Sequence, residues 1–200
     1  MVKTKRYNIG VVGGIEDKAA EVESIISEFI DNLEVPANFL VYGDNQQISR
    51  LVSKYARNTG FQTIGIVPVN HYDENLCTNL FSETVVVHPR YGESIWGDES
   101  EYFVKSADAF YIIGGGNGTM IEYMQTMKYN ESLYKQGSEL DKSKLKYIVS
   151  HYGMGGFSEK LYAFQPRAKA PDCFPNHAEN TPSPVKSFPG NVSPMESGYR

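Results

Sequence analysis

Four glycines in five positions, Gly114, Gly115, Gly116 and Gly118, interrupt an apolar stretch, with Thr119 immediately after them and Glu122 three residues further on. Glycine lacks a Cβ, so such a run reaches positive φ and lets a ligand approach the main-chain N–H groups closely. Ser106 to Ile113, just before it, is a short apolar run bounded by turn formers, the pattern of a buried parallel strand. With Thr119 capping a helix behind the loop, the free N–H groups and dipole of that helix attract an anion, typically a phosphate. Gly115, Gly116, Asn117, Gly118 and Thr119 are therefore the candidate phosphate-binding residues. The bland reading is a tight strand-to-helix turn and nothing more.

Glu122 has two readings. Thr119-x-x-Glu122 is the spacing of a capping box, in which the glutamate side chain bonds back to the backbone N–H of the cap residue. The stretch Gly115-Gly-Asn-Gly-Thr-Met-Ile-Glu122 also resembles the GGxGTxxE core of the LOG (Lonely Guy) family, within the wider SLOG group of Rossmann-like nucleotide-binding domains. That resemblance implies a carboxylate acting on the ribose of a bound nucleotide. There it would stabilise the positive charge that builds on the sugar as an N-glycosidic bond breaks, or would position a water. Family members usually carry proline where this chain has Gly114.

Softer matches extend the resemblance over residues 7 to 164. His88-Pro-Arg90 is similar to the family's histidine-x-arginine element, which makes Arg90 the second candidate catalytic residue. Its planar donor fork suits a phosphate or a base; its bland reading is a surface arginine in a loop. Asp108 follows Arg90 by eighteen residues, a longer gap than the family pattern carries, and Tyr91 to Asp98, including Trp96, reads as inserted. Leu40-Val-Tyr-Gly-Asp44 is similar to the family's LVYGGG stretch, but only Gly43 remains before Asp44, Asn45 and Gln46. Those side chains can read a base or a ribose hydroxyl, and they can equally cap the helix that follows. Gly13, Gly14, Gly43 and Asp44 are the further possible ligand contacts. His151-Tyr-Gly-Met-Gly-Gly156 follows a strand and can close the same cleft, and His151 is a minor acid or base candidate.

The elements that must position these residues alternate. Tyr7 to Val12 reads as a strand, and Val22, Ile25, Ile26, Phe29 and Leu33 give a helix over residues 16 to 32. Strands follow at 39–42, 63–68, 84–88 and 146–150, with a helix on Ile48, Leu51, Val52 and Tyr55 ending near Gly60. Residues 69 to 83 read as a loop with one helical turn, and Asp98 as the cap of a short helix reaching Lys105. Met120, Tyr123, Met124 and Met127 fall at i, i+3, i+4 and i+7, a stripe expected to pack into the core of a helix ending near Tyr134. This alternation predicts a Rossmann-like three-layer α/β/α domain with a mostly parallel sheet over residues 1 to 164. Seven of the ten prolines lie beyond Gln165, so residues 165 to 200 read as a disordered tail or extended arm.

Composition narrows the function classes. A net charge of −5 argues against a nucleic-acid partner, no run is long enough to span a membrane, and the cytoplasm is the default compartment. Cys77 and Cys173 lack metal-ligand or C-x-x-C spacing. The resemblance implies a nucleotide or nucleoside monophosphate ligand and a homodimer. The activity it implies is phosphoribohydrolase, releasing free base and ribose 5-phosphate with no metal or organic cofactor. The altered glycine, proline and arginine positions point instead to a non-catalytic sensor or binding module for a nucleotide-derived ligand.

Overall fold

A computed structural model describes residues 6–14, 18–44, 46–136, 144–151 and 154–157. Six strands form one all-parallel sheet: β1 (Tyr7–Gly14), β2 (Ala37–Tyr42), β3 (Gln62–Pro68), β4 (Glu83–Val87), β5 (Ala109–Gly114) and β6 (Tyr147–His151). The helices between them are α1 (Ala19–Asp31), α2 (Gln47–Thr59), α3 (Glu74–Leu80), α4 (Ser100–Ser106) and α5 (Asn117–Gln136). The strand order is β4-β3-β2-β1-β5-β6. The chain builds outward from β1 to β4, and α4 then carries it back to the other side of β1. The topology thus reverses between β1 and β5, where open parallel sheets bind ligands beyond their carboxyl ends.

Alternation along the strands supplies both layers of core. Ile9 and Val11 of β1, Phe39 and Val41 of β2, and Tyr111 and Ile113 of β5 face α1, α2 and α3. Tyr111 lies flat on Phe29 of α1, with ring centroids 4.0 Å apart. Val12, Leu40, Phe110 and Ile112 point the other way, onto Phe103 and Val104 of α4 and Tyr123 of α5. Each large side chain buried this way contributes about 1.5–3 kcal/mol relative to an exposed one. Gly10 is needed for that packing, because a Cβ there would sit 2.7 Å from the rings of both Phe103 and Phe110.

The sequence-based expectations hold for the fold class, and three local ones fail. Residues 69 to 83 contain a 3-10 turn (Val69–His71) and all of α3, which Asp73 starts by accepting the N–H of Leu76 at 3.0 Å. Asp98 does not cap α4; Glu99 holds that position, and Asp98 accepts the N–H of Ile95 at 2.9 Å within a turn. The methionine stripe is not core: Met120, Met124 and Met127 are 43%, 59% and 40% exposed. The buried side of α5 is formed by Thr119, Glu122, Thr126 and Leu133 instead, so polar groups lie beneath and apolar ones above. The proline-rich tail and Cys173 lie outside the described residues.

Candidate functional site

Two glycine turns lie side by side at the switch point. Gly13 pairs with Ile113 and Gly14 with Gly114, and the N–H of Gly115 donates to the carbonyl of Gly14 at 3.3 Å. Gly13, at φ +136°, has no room for a side chain, since a Cβ would fall 1.9 Å from the Ile113 carbonyl oxygen. Gly14, Gly116 and Gly118 are the converse case: no atom lies within 4 Å of where a Cβ would be. The outer surface of the loop is thus bare backbone beside open space.

Helix α5 begins at Asn117, three residues before the start expected with Thr119 as its cap. Gly116 occupies the cap position and its carbonyl takes the N–H of Met120 at 3.1 Å, so the N–H groups of Asn117, Gly118 and Thr119 have no acceptor within the helix. Thr119 is therefore not the cap. It is buried under Gly115, whose added Cβ would meet the Thr119 Oγ1 at 2.4 Å. The first turn of this 20-residue helix contains no acidic side chain to compete with a bound anion. The chain after β6 returns to the loop at Phe157. Phe157 donates its N–H to the Gly115 carbonyl at 2.9 Å and sets its ring edge-on to Tyr123. His151 itself turns to Tyr111, with Nδ1 3.2 Å from the phenol oxygen.

The shifted helix start also bears on the capping-box reading of Glu122. With Gly116 as cap, Glu122 lies too far along α5 to reach back to it, and no capping box forms. Its side chain turns inward toward α4 and β2 and is 1% exposed. Ser100 Oγ donates to Oε1 at 2.8 Å, whereas Oε2 has no hydrogen-bond partner among the described residues. Burial raises the Glu122 pKa, outweighing the lowering effect of the Tyr42 and Ser100 hydroxyls. Tyr42, at the carboxyl end of β2, has its own pKa raised, first by burial and then by the neighbouring Glu122. Buried polar groups are nearly always paired, which makes this carboxyl, with the Tyr42 and Ser100 hydroxyls beside it, an exception among the described residues.

Arg90 is placed differently. Its side chain is 71% exposed and pairs with Glu101 at 2.7 Å, and Lys105 shares that carboxylate. Glu122 and Arg90 thus attach to consecutive residues of α4, Ser100 and Glu101, one facing inward and the other solvent, with no bond between them. Arg90 lines an open pocket of about 430 Å³ together with His88, Tyr91, Tyr102, Lys105 and Gln125. Gly43 and Asp44 serve local structure. A Cβ on Gly43 would fall 2.5 Å from that of Val67, and Asp44 Oδ1 accepts the Gln46 N–H at 3.2 Å and the Ser49 hydroxyl at 2.8 Å, bracing the start of α2.

Three groups around Glu122 escaped the sequence reading: Tyr42, Glu99 and Ser100. Glu99 is 2% exposed, accepts the Gly97 N–H at 2.8 Å, and has its pKa raised by burial. Nothing in its spacing marks it; it sits beside Asp98, the more obvious cap. Among the described residues no cluster of three or more His, Cys, Asp or Glu side chains could hold a metal ion. No helix among them is long and apolar enough to cross a membrane.

Neither a scan against protein-family models nor a search of curated proteins finds a match. Solved structures do match. The X-ray structure of TM1055, a structural-genomics target, aligns with 78% of this chain and 79% of its own at TM-score 0.52 and 20% identity. Two structures of the molybdenum cofactor carrier protein of Chlamydomonas reinhardtii align at TM-scores 0.48 and 0.46, with 17% and 16% identity. They cover 80% of this chain and 96% and 97% of their own. At such identities the likeness to TM1055 establishes the fold: a Rossmann-like α/β domain, the architecture to which the LOG resemblance points.

Proposed function

We propose that this protein binds a nucleoside 5′-monophosphate at the carboxyl edge between β1 and β5 and hydrolyses its N-glycosidic bond. The observation that carries the reading is Glu122: buried, held through one oxygen by Ser100, open at the other, and excluded from the capping role that would otherwise explain it. The phosphate sits on the N–H groups of Asn117, Gly118 and Thr119, where free donors and the helix dipole act together. The likeness of Gly115 to Glu122 to GGxGTxxE supports the assignment. In the reaction the C1′–N bond breaks and its electron pair leaves on the base. Water supplies hydroxide to C1′ and its proton to the base. Ionised Glu122 offsets the charge that develops on the ribose between these events. Arg90, on the loop after β4, supplies a cation to the ligand once it exchanges Glu101 for it.

A second reading is a non-catalytic nucleotide sensor. The Arg90–Glu101 pair favours it, because a cation already satisfied by a neighbour is poorly placed for chemistry. In both readings we propose a homodimer, for which exposed Met120, Ile121, Met124 and Met127 provide an apolar face.

Release of free base from a panel of nucleoside monophosphates, followed by chromatography for wild type and Glu122→Gln, separates the two. The hydrolase requires release by wild type and its loss, by about a hundredfold or more, in the variant. Nucleotide binding without release by wild type would transfer the protein to the sensor class.

A further inference from the structure

Residues 91 to 98, which read from sequence as an insertion, fold back beside the end of β3. Trp96 stacks on His71 with ring centroids 4.6 Å apart and an interplanar angle of 19°. Asn70 Nδ2 donates to the Ser94 carbonyl at 3.3 Å, a second tie between the same two segments. Both rings remain open to solvent, Trp96 being 44% exposed. Behind this aromatic surface the chain is polar and buried: Ser94 is 7% exposed with no partner for its Oγ among the described residues, and Glu99 is 2% exposed.

Two hydrogen bonds and short steps along the chain separate this surface from the glycine loop. From Thr119, one helical turn leads to Glu122; Glu122 accepts from Ser100; Ser100 follows Glu99; and Glu99 accepts from Gly97, next to Trp96. The route runs along the carboxyl edge of the sheet from β5, past Tyr42 at the end of β2, to His71 beyond the end of β3. It carries phosphate donors at one end, an open carboxylate in the middle, and a planar aromatic surface over a buried acceptor at the other. A nucleotide presents phosphate, sugar and planar base in the same order.

We propose that Trp96, backed by His71, is the stacking wall for the base of the bound nucleotide, with Glu99 and Ser94 facing the base's polar edge. Tenfold in affinity, about 1.4 kcal/mol, falls in the lower half of the range that base-on-aromatic stacking shows by alanine substitution. Stacking tolerates any flat heterocycle, so the wall recognises the class of ligand while the polar groups beneath it select among members. The inference rests on the nucleotide reading proposed above and assigns a role to a segment that reading leaves unused.

Trp96 is the single tryptophan in the chain, so its fluorescence reports this surface alone. Adenosine and guanosine 5′-monophosphates are titrated into the full-length protein with excitation at the red edge of the indole band. Ribose 5-phosphate, which has the phosphate and sugar but no base, is the control, and calorimetry gives affinities for wild type, Trp96→Ala and Trp96→Phe. Quenching by a nucleoside monophosphate but not by ribose 5-phosphate is expected. Trp96→Ala should weaken nucleotide binding roughly tenfold and leave ribose 5-phosphate affinity unchanged, with Trp96→Phe restoring most of the loss. Nucleotide binding with unaltered fluorescence and unaltered affinity in Trp96→Ala would overturn the wall and leave the nucleotide reading standing. Failure of every ligand to bind would overturn both.

Discussion

Glu122 combines two properties that ordinarily exclude each other, an ionisable group and near-complete enclosure, and its titration has a direct consequence for stability. Burial raises its folded-state pKa above the ordinary 4.5, so the folded protein holds the proton more tightly than the unfolded chain. Between 4.5 and that raised value stability falls as pH rises, and above it the loss is complete and constant. Glutamine keeps the shape and removes the titration. Glu122→Gln is therefore expected to match or exceed wild type in Tm at pH 8, with the difference shrinking as the pH approaches 4; thermal scans across that range check it. A variant several degrees less stable at pH 8 would mean that the ionised carboxylate is a structural acceptor after all. Arg90 predicts differently. Its exposed ion pair with Glu101 is worth at most about 1 kcal/mol, so Arg90→Ala should move Tm by no more than a few degrees. In the proposed function the same change raises KM or Kd for the nucleotide roughly tenfold; an unchanged value would leave Arg90 a surface residue.

At the scale of elements, the glycine loop and the start of α5 act as one piece. Gly115 at φ +92° has Thr119 Oγ1 where a Cβ would go, so Gly115→Ala must displace either the loop or the first helical turn. The backbone strain alone costs on the order of 1–3 kcal/mol. We expect Tm to fall and nucleotide binding to be lost together, by scanning calorimetry and titration of the same sample. The pattern of strands and helices was legible because β1, β2, β5, α1 and α2 carry unbroken apolar runs or a 3.6-residue stripe. Helix α3 was not, since its seven residues bury only Cys77 and give periodicity nothing to act on. The start of α5 lies three residues ahead of the threonine, the better cap by type, because the glycine geometry places the cap at Gly116. Glu99 and Ser100 were invisible for another reason: their importance comes from α5 and β2 packing against them, contacts that local spacing does not encode.

At the scale of the molecule, alternation of strands and helices implies a parallel sheet but leaves strand order open. The order puts β1 beside β5, and this is what joins Gly13 and Gly14 to a loop a hundred residues away. The methionines of α5 are also a whole-molecule matter. A stripe with core periodicity that lies on the surface is a face suited to a second copy of the chain. Met124, the most exposed of them, becomes the test: Met124→Glu should convert a dimer to a monomer in sedimentation velocity, with Tm per protomer little changed at low concentration. A wild type that sediments as a monomer at every concentration would remove the dimer from the account.

The central claim is the anion site at the head of α5, and Gly118→Asp tests it most directly. Gly118 has open space around it and lies in a helical first turn with no acidic residue, so an aspartate there is accommodated and favoured by the helix dipole. It also places a negative charge where the phosphate would sit. Calorimetric titration with nucleoside monophosphates should show binding to wild type and none to Gly118→Asp, whose Tm is equal or higher. Equal nucleotide affinity in the two proteins would contradict the account, because no phosphate could then be resting on those N–H groups.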